Sequence, residues 1–387
     1  MLSMDTPFIY NKFVSGKHFI GRRSESAALG NLLSKGENAV IYEPSKTGKM
    51  SLIQQTFYNM RVAGARFEVA EFCLLGIRSR EAFICGLGDT VLRLFFTTPG
   101  EYASASAKYL AGTHLIFDAQ KFSAEDKVLS LSDEPDENDL LAVISLAGKI
   151  ASDNASRCYI LLSEFQDLML FPGGDKICRT LDSALRDFGT GQKQACSYIF
   201  TGSQVNAMKE IFENWGRFRK SVEHISLSPI DTKEIIDYVV KGFLVSGKVI
   251  ERDLLLGVCR LFRQNIWYIN HFSAICDSLS KGYIMQPLLA EALEMLISIH
   301  EPRFISIMEG LTTFQTSLLR AILEEETKFS SSETIIKYGL NSSANVRRIK
   351  DALCKKEIIV FDSEDRPSVI DPLFEFWAKK YYFKITR

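Results

Sequence analysis

Through the first 230 residues, short runs of apolar side chains alternate with longer stretches of helical spacing. Ala39 to Tyr42, Arg66 to Leu74, Cys158 to Leu162, Ser197 to Thr201 and Glu223 to Leu227 read as strands. Ser24 to Lys35, Met50 to Met60, Arg80 to Phe96, Asp139 to Ser152 and Asn206 to Asn214 read as the helices between them. Apolar strands separated by helices call for a parallel sheet covered on both faces, with ligands at the carboxyl ends of the strands. The predicted fold class is therefore α/β over residues 1–230. The small, polar stretch at about 98–137 is read as an insertion, with a hairpin around Leu115 to Leu131. Its acidic run, Asp133 to Asn138, reads as a solvated cap for the next helix in preference to a metal site.

The alternation stops at Asp231. Thr232 to Ser246, Glu251 to Phe262, Trp267 to Lys281 and Pro287 to Ile299 have helical spacing and predict a lid over residues 231–301. Beyond Pro302 come Phe304 to Met308, Thr312 to Glu326, Ser332 to Tyr338 and Ser342 to Lys355. A strand, Glu357 to Phe361, a turn at Asp362 to Pro367 and an extended stretch from Ser368 follow. Helices closed by a two-stranded ribbon predict a winged helix over residues 302–387.

Between the first strand and its helix lies Glu43-Pro-Ser-Lys-Thr-Gly-Lys-Met-Ser51. It has the outline of a phosphate-binding loop, G-x-x-x-x-G-K-[ST], in which backbone N–H groups cradle phosphate, Lys reaches the β/γ-phosphates and a hydroxyl binds Mg²⁺. The nucleotide contacts it offers are Lys46, Thr47, Gly48, Lys49, Met50 and Ser51. Glu43 stands where the first Gly belongs and Met50 where Ser or Thr belongs. A carboxylate facing the loop would repel phosphate, and a thioether is a poor ligand for a hard cation. Ser51 projects roughly 100° further around the helix. Alone, the loop is read equally well as an ordinary strand-to-helix turn.

The strand from Cys158 delivers Ser163-Glu164 at its carboxyl end. In nucleotide hydrolases an Asp there holds Mg²⁺ and a following Glu polarises water; Glu164 stands in the second place, and Ser163 cannot fill the first. Alone, Glu164 reads better as an acid at the start of a helix. Thr201 and Ser203 end the neighbouring strand, where a polar side chain can sense a γ-phosphate.

Lys+Arg 46 against Asp+Glu 47 gives a formal net charge of -1, so any anionic partner must meet a local patch. Hydrophobic content of 46% and charged content of 24% are those of an ordinary globular protein. The 8 cysteines form no C-x-x-C pair and read as free thiols of a reducing compartment. With no leader-like start and no run of eighteen apolar residues, the expectation is a cytoplasmic protein without a membrane partner.

Taken together, these stretches resemble the archaeal-type AAA-like ATPases of the STAND branch of P-loop NTPases. The resemblance rests on Pro7-Phe8, Phe19-Ile-Gly-Arg22 with Glu25, the loop ending in Gly48-Lys49, and Leu161-Leu-Ser-Glu-Phe-Gln166. It continues through Phe200-Thr-Gly-Ser203, Asn265-Ile-Trp-Tyr-Ile269 and Asp371-Pro-Leu-Phe-Glu-Phe-Trp377, and so covers nearly the whole chain. It implies a P-loop ATPase domain, a helical lid and a winged helix. It gives Lys49 the phosphates, Glu164 the water, Thr201 or Ser203 the sensor role, and Phe19, Ile20, Gly21 and Arg22 the adenine side.

Family members usually carry Gly at Glu43, Thr at Met50, Asp at Ser163 and Pro at Ile266. The expectation is thus a degenerate, weakly hydrolytic or inactive ATPase-like protein, with ATP or ADP as candidate ligands and Mg²⁺ disfavoured, that acts as a nucleotide sensor or protein-interaction scaffold. One alternative is a nucleic-acid-binding regulator, with Arg347, Arg348 and Lys350 on a recognition helix. Another is a working ATP hydrolase in which Ser51, Glu164 or a neighbouring carboxylate restores the metal site.

Overall fold

The computed structural model describes residues 6–122, 128–188, 195–362 and 364–385. The described parts of residues 23–43 and 52–227 make one compact unit, and those of residues 1–22, 44–51 and 228–387 make another.

The first unit begins with α1 (Arg23–Lys35), β1 (Ala39–Tyr42) and α2 (Lys49–Val62), the last of which starts in the loop. It continues through β2 (Glu68–Cys73), α3 (Arg80–Phe95), α4 (Pro99–Tyr109), β3 (Leu115–Phe117), β4 (Leu129–Leu131) and α5 (Glu137–Asp153). β5 (Cys158–Ser163), α6 (Gly174–Phe188), β6 (Cys196–Gly202), α7 (Val205–Lys209) and β7 (Glu223–His224) complete it. The sheet order is β2-β5-β6-β1-β7, and every pairing is parallel. β1, β5 and β6 are buried at every position. This double-sided burial is why their sequences are continuous apolar runs without alternation. β2, at the sheet edge, leaves Glu68, Glu71 and Cys73 exposed.

The stretch 98–137 is more ordered than its composition predicts. Thr98 and Glu101 form a reciprocal capping box that starts α4. Tyr102 is fully buried and donates to Asp89 at 2.5 Å. The expected hairpin is β3 paired antiparallel with β4, and its tip, residues 123–127, lies outside the described residues. Asp136 and Asp139 form a second capping box at the start of α5, and Asp139 also accepts from the backbone N–H of His114 at 2.7 Å. Among the described residues His114, Asp136 and Asp139 could offer a metal three ligand atoms within 4.8 Å, but both carboxylates are engaged in capping.

α6 is not among the expected helices, although Ile177, Cys178, Leu181, Ala184 and Leu185 have helical spacing and are buried along one face of it. It starts directly after Phe171-Pro-Gly. A Cβ on Gly174 would lie 1.7 Å from the Leu168 carbonyl oxygen, so this position admits only glycine.

The second unit carries α8 (Thr232–Val245), β8 (Val249–Ile250), α9 (Arg252–Leu261), α10 (Ile266–Leu279), β9 (Tyr283–Ile284) and α11 (Gln286–Glu309). α12 (Thr313–Leu323), α13 (Ser332–Tyr338), α14 (Ser343–Lys355), β10 (Ile359–Phe361), β11 (Pro367–Val369) and α15 (Pro372–Trp377) follow. β8 and β9 form a two-residue parallel pair, too short to leave a sequence pattern. α11 runs unbroken through Pro302, where the sequence predicts a stop. An internal proline costs about 3 kcal/mol. Leu296, Ile297, His300, Phe304 and Met308 all bury one face of this helix, and that burial outweighs the cost.

One apolar core runs through this unit from Phe8 and Phe243 to Leu319, Phe374 and Trp377. Phe8 is fully buried with its ring 4.7 Å from that of Phe243. A Cβ on Gly242 would lie 2.6 Å from the Phe8 ring, so glycine makes room for it. Asn270 Nδ2 donates to the Ile9 carbonyl at 2.9 Å and Trp267 Nε1 to that of Tyr10 at 2.5 Å, which binds the segment after Pro7 to α10.

Candidate nucleotide loop and strand-end acids

The loop Pro44–Ser51 carries the chain from β1 into α2. Lys46 at φ +67° and Gly48 at φ +94° are both left-handed, and no atom lies within 4 Å of a Cβ placed on Gly48. Such reversals turn successive backbone N–H groups toward one side. Thr47 Oγ1 and Lys49 Nζ donate to the Pro44 carbonyl at 2.8 and 2.9 Å and hold the turn closed. α2 opens at Lys49, whose side chain is buried, and its first turn contains no acidic residue. The positive end of the helix dipole is therefore available to an anion.

The Phe19–Arg22 turn supports this loop. Arg22 Nη2 donates to the Thr47 carbonyl at 3.2 Å. Gly21 adopts φ +64°, and a Cβ there would lie 2.8 Å from Ile230, so glycine is required both for its backbone angle and for its size. Ile20 packs against the core of the same unit.

The positions that would serve a metal are arranged differently. Met50 presents a thioether, and the Ser51 hydroxyl accepts the Val14 N–H at 3.1 Å. In the sheet unit, the Glu43 carboxylate accepts the Leu227 N–H at 3.4 Å. The Ser163 hydroxyl donates to Glu71 Oε1 at 2.7 Å.

Glu164 sits at the end of β5 with φ +52°. Its Oε2 accepts from Ser203 Oγ at 2.5 Å and from Gln166 Nε2 at 2.7 Å. Of the two sensor candidates, Ser203 therefore meets Glu164, while Thr201 is buried within β6 in register with Ile41. Gln166 fits only because position 202 is glycine: a Cβ there would lie 2.6 Å from Gln166 Oε1. Glu71 and Gln166 are the participants that reasoning from sequence missed. The signal for Glu71 is the β2–β5 register, which pairs Cys73 with Ser163 and so puts Glu71 on the same face.

Beside the loop, Lys46 Nζ lies 3.8 Å from the centre of the Trp267 ring. His271 stacks on Tyr10 at 4.1 Å and stands 5.5 Å from His300. Burial, together with the nearby Lys46 charge, pushes both imidazoles down to about 4. The Tyr268 hydroxyl donates to Asp371 at 2.8 Å, and Arg303 Nη2 reaches both Tyr268, at 3.1 Å, and Asp371, at 2.5 Å. Asn265 and Asp371, which anchor two of the recognised sequence stretches, are N-caps of α10 and α15.

On α14, Arg347 and Arg348 are exposed. Lys350 is drawn back onto Phe329 and Phe361, with its ammonium 5.1 and 4.9 Å from the ring centres, and lies 3.8 Å from Asp365. Arg217 pairs with Asp175 and packs over Trp215 at 4.6 Å. No helix among the described residues is long and apolar enough to cross a membrane.

A family described as a probable winged helix domain matches residues 302–380. No curated protein matches the sequence. The structure is similar to that of a Walker-type ATPase of Pyrococcus abyssi, with TM-score 0.65 and 16% identity over 96% of this chain and 99% of that one. It is also similar to the Aeropyrum pernix ORC2 protein in its ADPNP–ADP complexes, with TM-score 0.53 and 12% identity over 95% of this chain and 94% of that one. The fold is thus the α/β parallel-sheet fold of P-loop ATPases with a C-terminal winged helix.

The two imidazoles set a pH dependence. Both bind protons in the unfolded chain near the ordinary value of 6.5 but in the fold only near 4. Between those values the unfolded state binds more protons, so stability falls as pH drops from 6.5 toward 4 and is flat above. The expected loss is on the order of 2 kcal/mol for each imidazole. Urea unfolding at pH 7 and pH 4.5 should show this loss in the wild type and a smaller one in a His271→Gln, His300→Gln variant.

Proposed function

We propose that this chain is a nucleotide-sensing, STAND-type member of the P-loop ATPases in which hydrolysis is weak or absent, and that it works as a cytoplasmic switch or scaffold for a protein partner. The observation that carries this reading is a contrast between the backbone of the loop and the side chains at two motif positions, one in the loop and one at the end of β5. A phosphate-cradling role is supported by the left-handed Lys46 and Gly48, and by Lys49 at the positive end of α2. The positions that would give oxygens to Mg²⁺ are occupied by Met50 and by Ser163, whose hydrogen bonds to Glu71. Mg²⁺ neutralises the charge that develops on a transferred phosphoryl group, so such a loop can hold ADP or ATP while transfer lacks its main electrostatic support. Residues 46–51 would hold the phosphates, and Phe19 to Arg22 would line the adenine side. Ser203 and Gln166 hold Glu164 in one orientation, which supports a sensing role for it over that of a freely positioned base.

A second reading, a nucleic-acid regulator, is favoured by the exposed Arg347 and Arg348 on the helix of the winged-helix domain. If those two arginines meet phosphates, the logarithm of duplex affinity should fall with that of salt with a slope of about -2. An unchanged slope in Arg347→Ala, Arg348→Ala would remove the reading.

Thermal unfolding with ATP, ADP or neither, with and without Mg²⁺, tests the main reading. Nucleotide at about a hundred times its dissociation constant should add about 2.7 kcal/mol, visible as a rise of a few degrees. The rise should be absent in Lys49→Ala and indifferent to Mg²⁺. A rise that needs Mg²⁺ and is lost in Glu71→Gln would instead show that the neighbouring carboxylate has rebuilt a metal site.

A further inference from the structure

Lys46 belongs to the loop, yet its ammonium lies over an aromatic ring of α10. The distance of 3.8 Å to the Trp267 ring centre is within cation–π range. His271 and His300 stand 5.3 and 5.6 Å from the same ring, centre to centre. Both imidazoles are more than nine-tenths buried, and among the described residues neither His271 Nδ1 nor His300 Nε2 has a hydrogen-bond partner. Arg303 and Asp371 add one charge of each sign nearby. Burial keeps the imidazoles neutral at pH 7, so Lys46 is faced by aromatic and dipolar groups together with the Arg303–Asp371 pair.

Contacts continue from that ring to the winged helix. Trp267 meets Tyr268 edge to face at 5.0 Å. Tyr268 and Arg303 together hold Asp371, and Asp371 accepts the N–H groups of Leu373 and Phe374 that open α15. The path runs from loop to α10 to α15, entirely within one compact unit.

We propose that Lys46 is a latch that reports occupancy of the loop to the winged helix. A phosphoanion cradled by residues 46–51 attracts an ammonium more strongly than a neutral ring does. Drawing Lys46 to the phosphate withdraws it from Trp267, loosens the Trp267–Tyr268 pair and weakens the hold on Asp371. The ligand step rests on the nucleotide reading of the loop; the link between Lys46 and α15 does not.

Amide hydrogen exchange of α15 in the full chain tests this, with Lys46→Met, Trp267→Leu, the double variant, and the wild type with ADP. Each single variant should exchange about three- to tenfold faster in α15, and the double variant no faster than either single. ADP should reproduce the effect in the wild type and add nothing in Lys46→Met at an ADP concentration at which a thermal shift shows that this variant is still occupied. If Trp267→Leu fails to fold, Trp267→Phe replaces it, with a smaller change of the same sign. Unchanged exchange in folded single variants, or effects that simply add in the double, would overturn the latch. A thermal shift with ADP that leaves α15 unchanged would overturn it while leaving nucleotide binding intact. Absence of any thermal shift would defeat the nucleotide reading, and the variant cycle alone would then decide whether Lys46 and α15 are linked.

Discussion

Burial of β1, β5 and β6 at every position is the constraint on which the rest depends. A strand covered on both faces has no place for a charged side chain along its length, so polar chemistry collects where the chain leaves the sheet. That is where Ser163, Glu164 and Ser203 stand, and the loop Pro44–Ser51 follows directly from β1. The parallel register then fixes which of them meet. β5 beside β6 lets Ser203 reach Glu164, and β2 beside β5 lets Glu71 reach Ser163.

Cradling phosphate and holding a metal make different demands on a chain. The first is a property of the backbone, and it needs a left-handed turn, a glycine and a helix start, all of which are here. The second is a property of particular side-chain oxygens, so a single replacement can alter it while the strands, turn and helix stay intact. The proposed function rests on that difference.

Much of this was legible in the sequence, because long apolar strands and amphipathic helices leave strong periodic signals. β1 and α13 fall at the predicted residues. The misses have particular causes. α6 carries helical spacing through Ile177, Leu181 and Leu185 that is legible but was passed over, and the unbroken α11 required knowing that Phe304 and Met308 are buried on the same face as Leu296. At the site, the loop residues could be named from spacing, but their partners could not. Pairings such as Ser163 with Glu71, Glu164 with Gln166, and Lys46 with Trp267 depend on register and packing, which no single stretch encodes. Asn265 and Asp371 carry the opposite lesson: residues that mark a family resemblance serve here as helix caps.

A loop that binds nucleotide without magnesium chemistry should hold ADP and ATP equally well with and without the metal. Calorimetric titration of both nucleotides in excess chelator and again in millimolar Mg²⁺ should give dissociation constants that agree within about twofold, a difference of about 0.4 kcal/mol. Tightening of ATP binding by about tenfold or more on adding Mg²⁺ would contradict it.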